Sequence, residues 1–437
     1  MEQLEETKDL LGERTKRQTK FSCIAQKAKE NTQEVFTSLA HHLTEEYLIE
    51  SFSKLRKRAA RGIDKVSVAD YQKQLGDNLE DLHQRLRTQQ YKAPDIKRTW
   101  IDKGNGKKRP LGISTTEDKI VQRAVTDILN LIYEQDFYDF SYGFRPTRKA
   151  HQALTQLRDQ CMRRKMNWVL DADIQGCFDN FDHGIMRDLL SKRIKDKHIM
   201  RLINGWLKAG IIDGDSLHVN TKGTPQGNII SPLLCNVYLH YVLDEWLDKT
   251  IRPLLKGEIF VIRYADDFII VFENEEDVHK VYNTVPKRMQ KFGLTIHPEK
   301  SKLIKFEPTG DKPTFDFLGF THYWTKSKRG NNLIKRRTTK KKLRQVSKNL
   351  TDTCQKHRHD KLKDQHKLFS AKLIGFYQYY GIRGNFHALY RMYRMAVFLW
   401  FKWLNRRSQR KSYTWKGYSE LLKHFSLPRP RIIHNNV

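Results

Sequence analysis

The sequence predicts an α+β fold in which an antiparallel hairpin carries paired carboxylates. Tyr264-Ala265-Asp266-Asp267 lies between two apolar runs, Ile259-Phe260-Val261-Ile262 and Phe268-Ile269-Ile270-Val271-Phe272. Two β-prone runs joined by a tight polar tip read as a hairpin. Upstream, Trp168-Val169-Leu170-Asp171-Ala172-Asp173-Ile174 is an apolar strand that runs into carboxylates. It is followed by Gln175-Gly176-Cys177-Phe178-Asp179, a glycine turn into a helix. Helical patterns separate these strands from their neighbours, from about Glu117 to Tyr133 and from Ser231 to Leu247.

The hairpin tip presents charge where core residues fit poorly and a ligand fits well. Adjacent carboxylates on a rigid hairpin suit a hard, oxygen-seeking cation such as Mg²⁺. A third carboxylate from the upstream strand completes a clamp on two ions about 3.5–4 Å apart. Such a site activates a 3′-hydroxyl with one ion and steadies the departing pyrophosphate with the other. Period-2 alternation puts Asp171 and Asp173 on one face and does not choose between them.

The charge balance points to the same kind of partner. The chain of 437 residues carries 81 Lys and Arg against 50 Asp and Glu, a net +31. That excess marks a polyanion partner, with nucleic acid first. A membrane is not expected, because no apolar stretch approaches a spanning length and the first thirty residues are charged throughout. The five cysteines are scattered and never form a C-x-x-C pair, which predicts reduced thiols. Cys354, His357 and His359 fall close together, but without a plausible fourth ligand they read as a polar helix face rather than a zinc site.

Positive charge concentrates from Lys326 to Lys348, where no acidic residue intervenes. Lys335, Arg336, Arg337, Lys340, Lys341, Lys342 and Arg344 are the candidates there for gripping a nucleic-acid backbone. Next, Phe376-Tyr377-Gln378-Tyr379-Tyr380 leads into Phe386, Leu389, Tyr390, Tyr393, Val397, Trp400 and Leu404, spaced by threes and fours as on an amphipathic helix. Core packing accounts for these aromatics; Arg391 and Arg394, interleaved with them, favour an RNA-facing surface.

Several ordered blocks resemble those of group II intron reverse transcriptases. They are Lys103-Gly104-Asn105-Gly106-Lys107-Lys108-Arg109-Pro110-Leu111-Gly112-Ile113, then Ser141-Tyr142-Gly143-Phe144-Arg145-Pro146 with Ala150-His151-Gln152-Ala153-Leu154, then the run from Asp173 to Asp179. Gly223-Thr224-Pro225-Gln226-Gly227 with Ser231-Pro232-Leu233-Leu234 follows, and then the Tyr264–Asp267 tip. Gly293-Leu294-Thr295 with Glu299-Lys300-Ser301 and Phe317-Leu318-Gly319-Phe320 complete the series. The resemblance covers roughly residues 50–430, and many blocks in one order are far more specific than any single block.

The resemblance implies roles residue by residue. Asp173, Asp266 and Asp267 match the metal-binding carboxylates of a two-Mg²⁺ site, which decides between Asp171 and Asp173. Lys103 and Arg109 match the basic pair that holds the incoming dNTP triphosphate; a solvated hairpin tip is the alternative from residue type alone. Phe178 matches the aromatic that excludes a 2′-hydroxyl, with ordinary core as its alternative. Ile174 and Gln226 fall among the dNTP-binding positions. Lys300 matches a lysine that protonates the leaving pyrophosphate, against a plain surface turn. Gln175 departs from the family pattern, standing where many relatives carry a basic residue.

The implied architecture is a right-hand polymerase with fingers, an antiparallel palm and an α-helical thumb. Residues 1–60 would be an N-terminal extension, 61–165 the fingers, 166–322 the palm, 323–404 the thumb or maturase domain X, and 405–437 a basic tail with room for a reduced DNA-binding region but no H-N-H nuclease. The implied activity is RNA-directed DNA synthesis by a soluble, cytoplasmic ribonucleoprotein. Its partners would be intron RNA, a template-primer duplex and dNTPs. A domesticated relative in DNA repair or phage defence, a splicing factor without polymerase activity, and an RNA-dependent RNA polymerase are the competing expectations.

Overall fold

The computed structural model describes residues 17, 19–102, 108–163, 166–310, 313–410 and 412–435. The chain divides into two compact units, the first made of Met1–Arg148, Ala172–Ile270 and Glu276–Lys302 and the second of Lys149–Asp171, Val271–Glu275 and Leu303–Val437. Both mix helices with largely antiparallel sheets, as the α+β expectation requires.

In the first unit, strands β1 (Ile96–Asp102) and β2 (Lys108–Ile113) form an antiparallel ribbon with Ile101 opposite Arg109. A second sheet uses β3 (Trp168–Gln175). The ribbon is extended by β4 (Ile211–Asp213), parallel to β1, and β5 (Ser216–His218). The second sheet continues through β6 (Ile259–Tyr264), β7 (Asp267–Phe272) and β8 (Thr295–Ile296), in the order β6-β7-β3-β8. β7 is buried from Phe268 to Phe272, which explains its unbroken apolar run.

The helix expected from Glu117 to Tyr133 spans Thr116–Asp136. Thr115 caps it by accepting from the Asp118 N–H, and its apolar stripe of Ile120, Ala124, Ile128 and Ile132 is fully buried. Ser231–Leu239 begins with Pro232 in its first turn and passes into π-helical turns at His240–Asp244 and Leu247–Ile251. Leu233 to Leu239 are all buried, Asn236 among them, so this helix is enclosed on every side.

β9 (Lys302–Lys305) pairs with β3, whose residues up to Asp171 belong to the second unit. β10 (Thr314–Phe317), β11 (Phe320–Lys326) and β12 (Asn332–Thr338) make an antiparallel sheet. The Phe317-Leu318-Gly319-Phe320 block is the two-residue turn between β10 and β11. Leu318 and Gly319 both adopt positive φ, 49° and 81°, the conformation that a tight hairpin of this twist demands. Around it stand helices Ala150–Arg163, Lys340–Lys356, Leu362–Tyr380, Phe386–Leu404 and Trp415–His424.

The aromatic segment therefore forms two helices, broken at Gly381–Asn385. The buried stripe of Phe386–Leu404 is Leu389, Met392, Ala396, Leu399, Trp400 and Leu404. Phe386 and Tyr390, spaced as core residues are, are instead exposed. Among the described residues no helix is long and apolar enough to cross a membrane.

Candidate active site

Asp266 sits in the turn between β6 and β7, and Asp267 is the first residue of β7. Ala265 adopts φ 59°, so the tip turns sharply at the residue before the two carboxylates. β3 lies beside β7, and the Ile174 N–H donates to the Asp266 carbonyl at 3.4 Å. This pairing sets Asp173 next to the tip. Ile174 itself turns its side chain into the core.

The electrostatics record that proximity. Burial first, and the neighbouring carboxylates of Asp266 and Asp173 next, push Asp267 up to about 7. Asp266 is raised by the same causes, burial ahead of the Asp173 charge, and is held back partly by Arg109 and Lys300. Asp173 is thus the carboxylate that acts on both members of the pair. Lys300 Nζ forms an ion pair with Asp173 Oδ2. Its Pro298-Glu299-Lys300 turn is closed by Lys300 and Ser301 N–H groups donating to the His297 carbonyl at 3.3 and 3.0 Å.

No group of three or more His, Cys, Asp and Glu among the described residues is gathered tightly enough to cage a metal ion. The donor set still suits a hard divalent cation, being made only of carboxylate oxygens whose crowded charge is under-compensated. The Lys300 ammonium stands beside one of those oxygens as the cation partner.

Other blocks of the first unit pack near this tip. Gly176 adopts a left-handed conformation and starts the short helix Cys177–Asn180, which presents Phe178 half-buried. The Thr224 N–H donates to the Phe178 carbonyl at 2.6 Å, and a Cβ on Gly223 would collide with that same carbonyl oxygen. The Gly223–Gly227 loop therefore needs its first glycine to lie against the Phe178 turn. At its other end the Gly112 N–H donates to the Gln226 carbonyl at 2.6 Å. Gln226 Nε2 donates to Asp179 at 3.1 Å, so this side chain is engaged within the protein. Arg109 is exposed on β2, within electrostatic reach of Asp266. Lys103 lies outside the described residues.

Residue-type reasoning missed the support beneath the tip. Arg263, fully buried, donates to Asp244 at 2.7 and 2.5 Å, to Asn236 Oδ1 at 3.0 Å and to the Ala265 carbonyl at 3.1 Å. Asn236 Nδ2 in turn donates to the Gly143 carbonyl at 2.7 Å, and a Cβ on Gly143 would strike the Ala265 backbone. One buried network so fixes the Tyr264–Asp267 tip and the Ser141–Pro146 block together. A charge placed inside an apolar strand, as Arg263 is, was the available signal. Phe144, exposed and at φ 58°, meets Phe178 edge to face with centroids 6.2 Å apart.

In the second unit Lys340, Arg344 and Lys348 follow one another at helical spacing and face Arg391 across a groove of about 630 Å³ floored by Leu343, Met392 and Met395. Lys341 and Arg394 are exposed and Lys342 is partly so. On β12, Lys335 and Arg337 point outward, Arg337 over the Tyr323 ring, while Arg336 is 2% exposed and donates to the Leu154 carbonyl at 2.9 Å.

The model of the reverse transcriptase (RNA-dependent DNA polymerase) family matches residues 101–322, half of the chain, and its span contains every block gathered around the tip. The chain belongs to the reverse transcriptase family. Among curated proteins this reverse transcriptase is 37% identical over 298 residues to the group II intron-encoded protein LtrA of Lactococcus lactis subsp. cremoris, covering 65% of this chain and 49% of LtrA. It is 33% identical over 238 residues to protein YkfC of Escherichia coli strain K12, covering 48% of this chain and 62% of that one. It is 29% identical over 279 residues to the uncharacterized 91 kDa protein in cob intron of Schizosaccharomyces pombe, covering 52% and 34%. LtrA, by its name a group II intron-encoded protein, is the kind of relative that the ordered sequence blocks resemble. The chain spans about half the length of the first of these relatives.

Proposed function

We propose that the chain is an RNA-directed DNA polymerase encoded by a group II intron, which binds intron RNA, assists its splicing and copies it into DNA. The observation that carries this reading is the meeting of Asp173 with Asp266 and Asp267 on adjacent strands, where the Asp173 charge raises both members of the pair. These three carboxylates would hold two Mg²⁺ ions, which supply nucleophile activation and leaving-group stabilisation when bound.

The chain's own residues do the rest. The Arg263 network holds the tip rigid, so that the carboxylates need no reorganisation as the reaction proceeds. Arg109, with Lys103, would bind the triphosphate, and their cationic side chains suit phosphate oxygens. Phe178, braced by Phe144, would lie under the sugar and exclude a 2′-hydroxyl. Lys300 would deliver a proton to pyrophosphate from its place beside Asp173. The fingers, palm and thumb would span 61–165, 166–322 and 323–404. The groove of Lys340, Arg344 and Arg391 would receive the template-primer backbone, and exposed Phe386 and Tyr390 beside Arg394 support an RNA-facing surface. The relatives do not favour a repair, defence or purely splicing role.

Primer extension on an RNA template with Mg²⁺, comparing dNTPs with NTPs, tests the proposal. DNA product that vanishes in Asp266→Ala supports it. A folded, RNA-binding chain that extends no primer overturns it.

A further inference from the structure

The second unit carries another basic cavity, of about 490 Å³, lined by Arg158, Lys335, Arg336, Arg383, Gly384 and Asn435. Four cations converge on it from three separate elements. Arg158 comes from helix Ala150–Arg163, Lys335 and Arg336 from β12, and Arg383 from the break after helix Leu362–Tyr380. Arg158 has one acidic neighbour, Asp159 at 3.7 Å, which is its own chain neighbour.

Arg336 is the informative member. It is 2% exposed, one Nη donates to the Leu154 carbonyl, and its Nε has no hydrogen-bond partner among the described residues. A buried guanidinium normally pairs with a carboxylate, because burial penalises an uncompensated charge. Here burial and then the Arg158 charge depress Arg336 to about 10, and the opposing Asp159 charge only partly balances them. Gly384, at φ 91°, leaves the rim open, and a Cβ placed there would come no closer than 3.8 Å to the Lys335 side chain. Crowded, under-compensated guanidinium groups around a cavity suit a phosphodiester, which takes paired N–H donors without adding a proton.

We propose that this cavity is a binding site for backbone phosphate of single-stranded RNA, separate from the groove of Lys340 and Arg344. The proposal rests on the reading of the chain as an RNA-binding polymerase and adds the residues of a second contact point. Arg158 and Arg383 supply the accessible guanidinium groups, and Arg336 adds fixed positive potential from below.

Binding of a fluorescein-labelled single-stranded RNA is measured by anisotropy across a salt series for the full chain, for Arg158→Gln/Arg383→Gln, and for Lys328→Gln/Arg329→Gln. The last pair removes two exposed cations outside the cavity. The expected result is an affinity loss of about tenfold for the first pair, with the slope of log K against log salt reduced by about 1, and a smaller change for the second. Unchanged affinity and slope for Arg158→Gln/Arg383→Gln, or equal losses for both pairs, overturns the proposal. Circular dichroism of each variant shows that the fold is retained. Primer extension by the unsubstituted chain runs alongside. Its failure with RNA affinity intact counts against the polymerase and leaves the cavity standing.

Discussion

Arg263 and Asp244 form a fully buried ion pair, two parallel hydrogen bonds of 2.7 and 2.5 Å, beneath the turn that carries Asp266 and Asp267. Burial works against both charges. At Arg263 the attraction of Asp244 outweighs it, while at Asp244 burial prevails and keeps the carboxyl raised. The added bonds to Asn236 and Ala265 hold the guanidinium in place. Removing one partner strands the other. Asp244→Ala is expected to lower the unfolding free energy by about 3–5 kcal/mol, measured by urea denaturation. A loss below about 1 kcal/mol shows that the pair is replaceable and that the tip is held by its backbone alone.

Asp171 and Asp173 are equivalent by strand alternation. The Ile174–Asp266 hydrogen bond falls beside Asp173, and Lys300 pairs with Asp173. Asp173→Asn is expected to reduce single-turnover primer extension by about a thousandfold, a loss of roughly 4 kcal/mol of transition-state stabilisation. Asp171→Asn should stay within about tenfold of the parent. Reversed effects would move the metal ligand to Asp171.

Much of the site was legible because its parts are local. The β-prone runs around Tyr264–Asp267 and the glycine turn after Asp173 declare themselves within a dozen residues. The Thr116–Asp136 helix does so through its apolar stripe and the Thr115 cap. What stayed hidden depends on long-range partners. Arg263 and Asp244 lie on different elements, and no local pattern pairs them. Arg336 looks like one more cation in a basic run, yet alternation along β12 turns it inward with Ile334, where the Leu154 carbonyl receives it. Phe386 and Tyr390 share the spacing of the buried stripe but fall on its outer side, because helical periodicity alone does not say which of two apolar faces is covered.

Phe178 sits at the rim of the site, edge to face with exposed Phe144. If it excludes the 2′-hydroxyl by bulk, Phe178→Ala should admit ribonucleotides. The preference for dNTPs over NTPs is expected to fall by about a hundredfold, or roughly 3 kcal/mol, in competing extension assays. A preference that survives the truncation assigns discrimination to another residue and returns Phe178 to packing.

Asp136 offers a pH test away from the catalytic tip. Burial raises its carboxyl to about 6, although Arg193 stands 3.0 Å away and opposes the shift. Neither Asp136 oxygen has a hydrogen bond of good geometry, so the ion pair does not repay desolvation. The folded state therefore holds the proton more tightly than the unfolded chain. The contribution is present below about pH 4 and is lost as pH rises through about 6. Relative to Asp136→Asn, the parent should lose about 1–2 kcal/mol between those limits in urea denaturation, a figure reduced for the partial exposure of the group. A difference that stays constant with pH, or grows in the parent's favour, contradicts the raised value.

Lys340, Arg344 and Lys348 repeat every four residues along one face, opposite Arg391, over an apolar floor. A duplex backbone laid in that groove would release counterions from each neutralised phosphate, so the contacts should be visible in salt dependence before they are visible in activity. Substituting the three by Gln is expected to reduce the slope of log K against log salt for an RNA/DNA duplex by about 2–3, at about 0.9 per phosphate contact. Affinity near 0.15 M salt should fall between about tenfold and a hundredfold. The slope is the discriminating quantity. A groove that acts only through shape would lose affinity equally at every salt concentration, because no counterion release would be removed with the charges. Loss of affinity at constant slope would thus place the duplex elsewhere and leave the groove a packing seam between two helices.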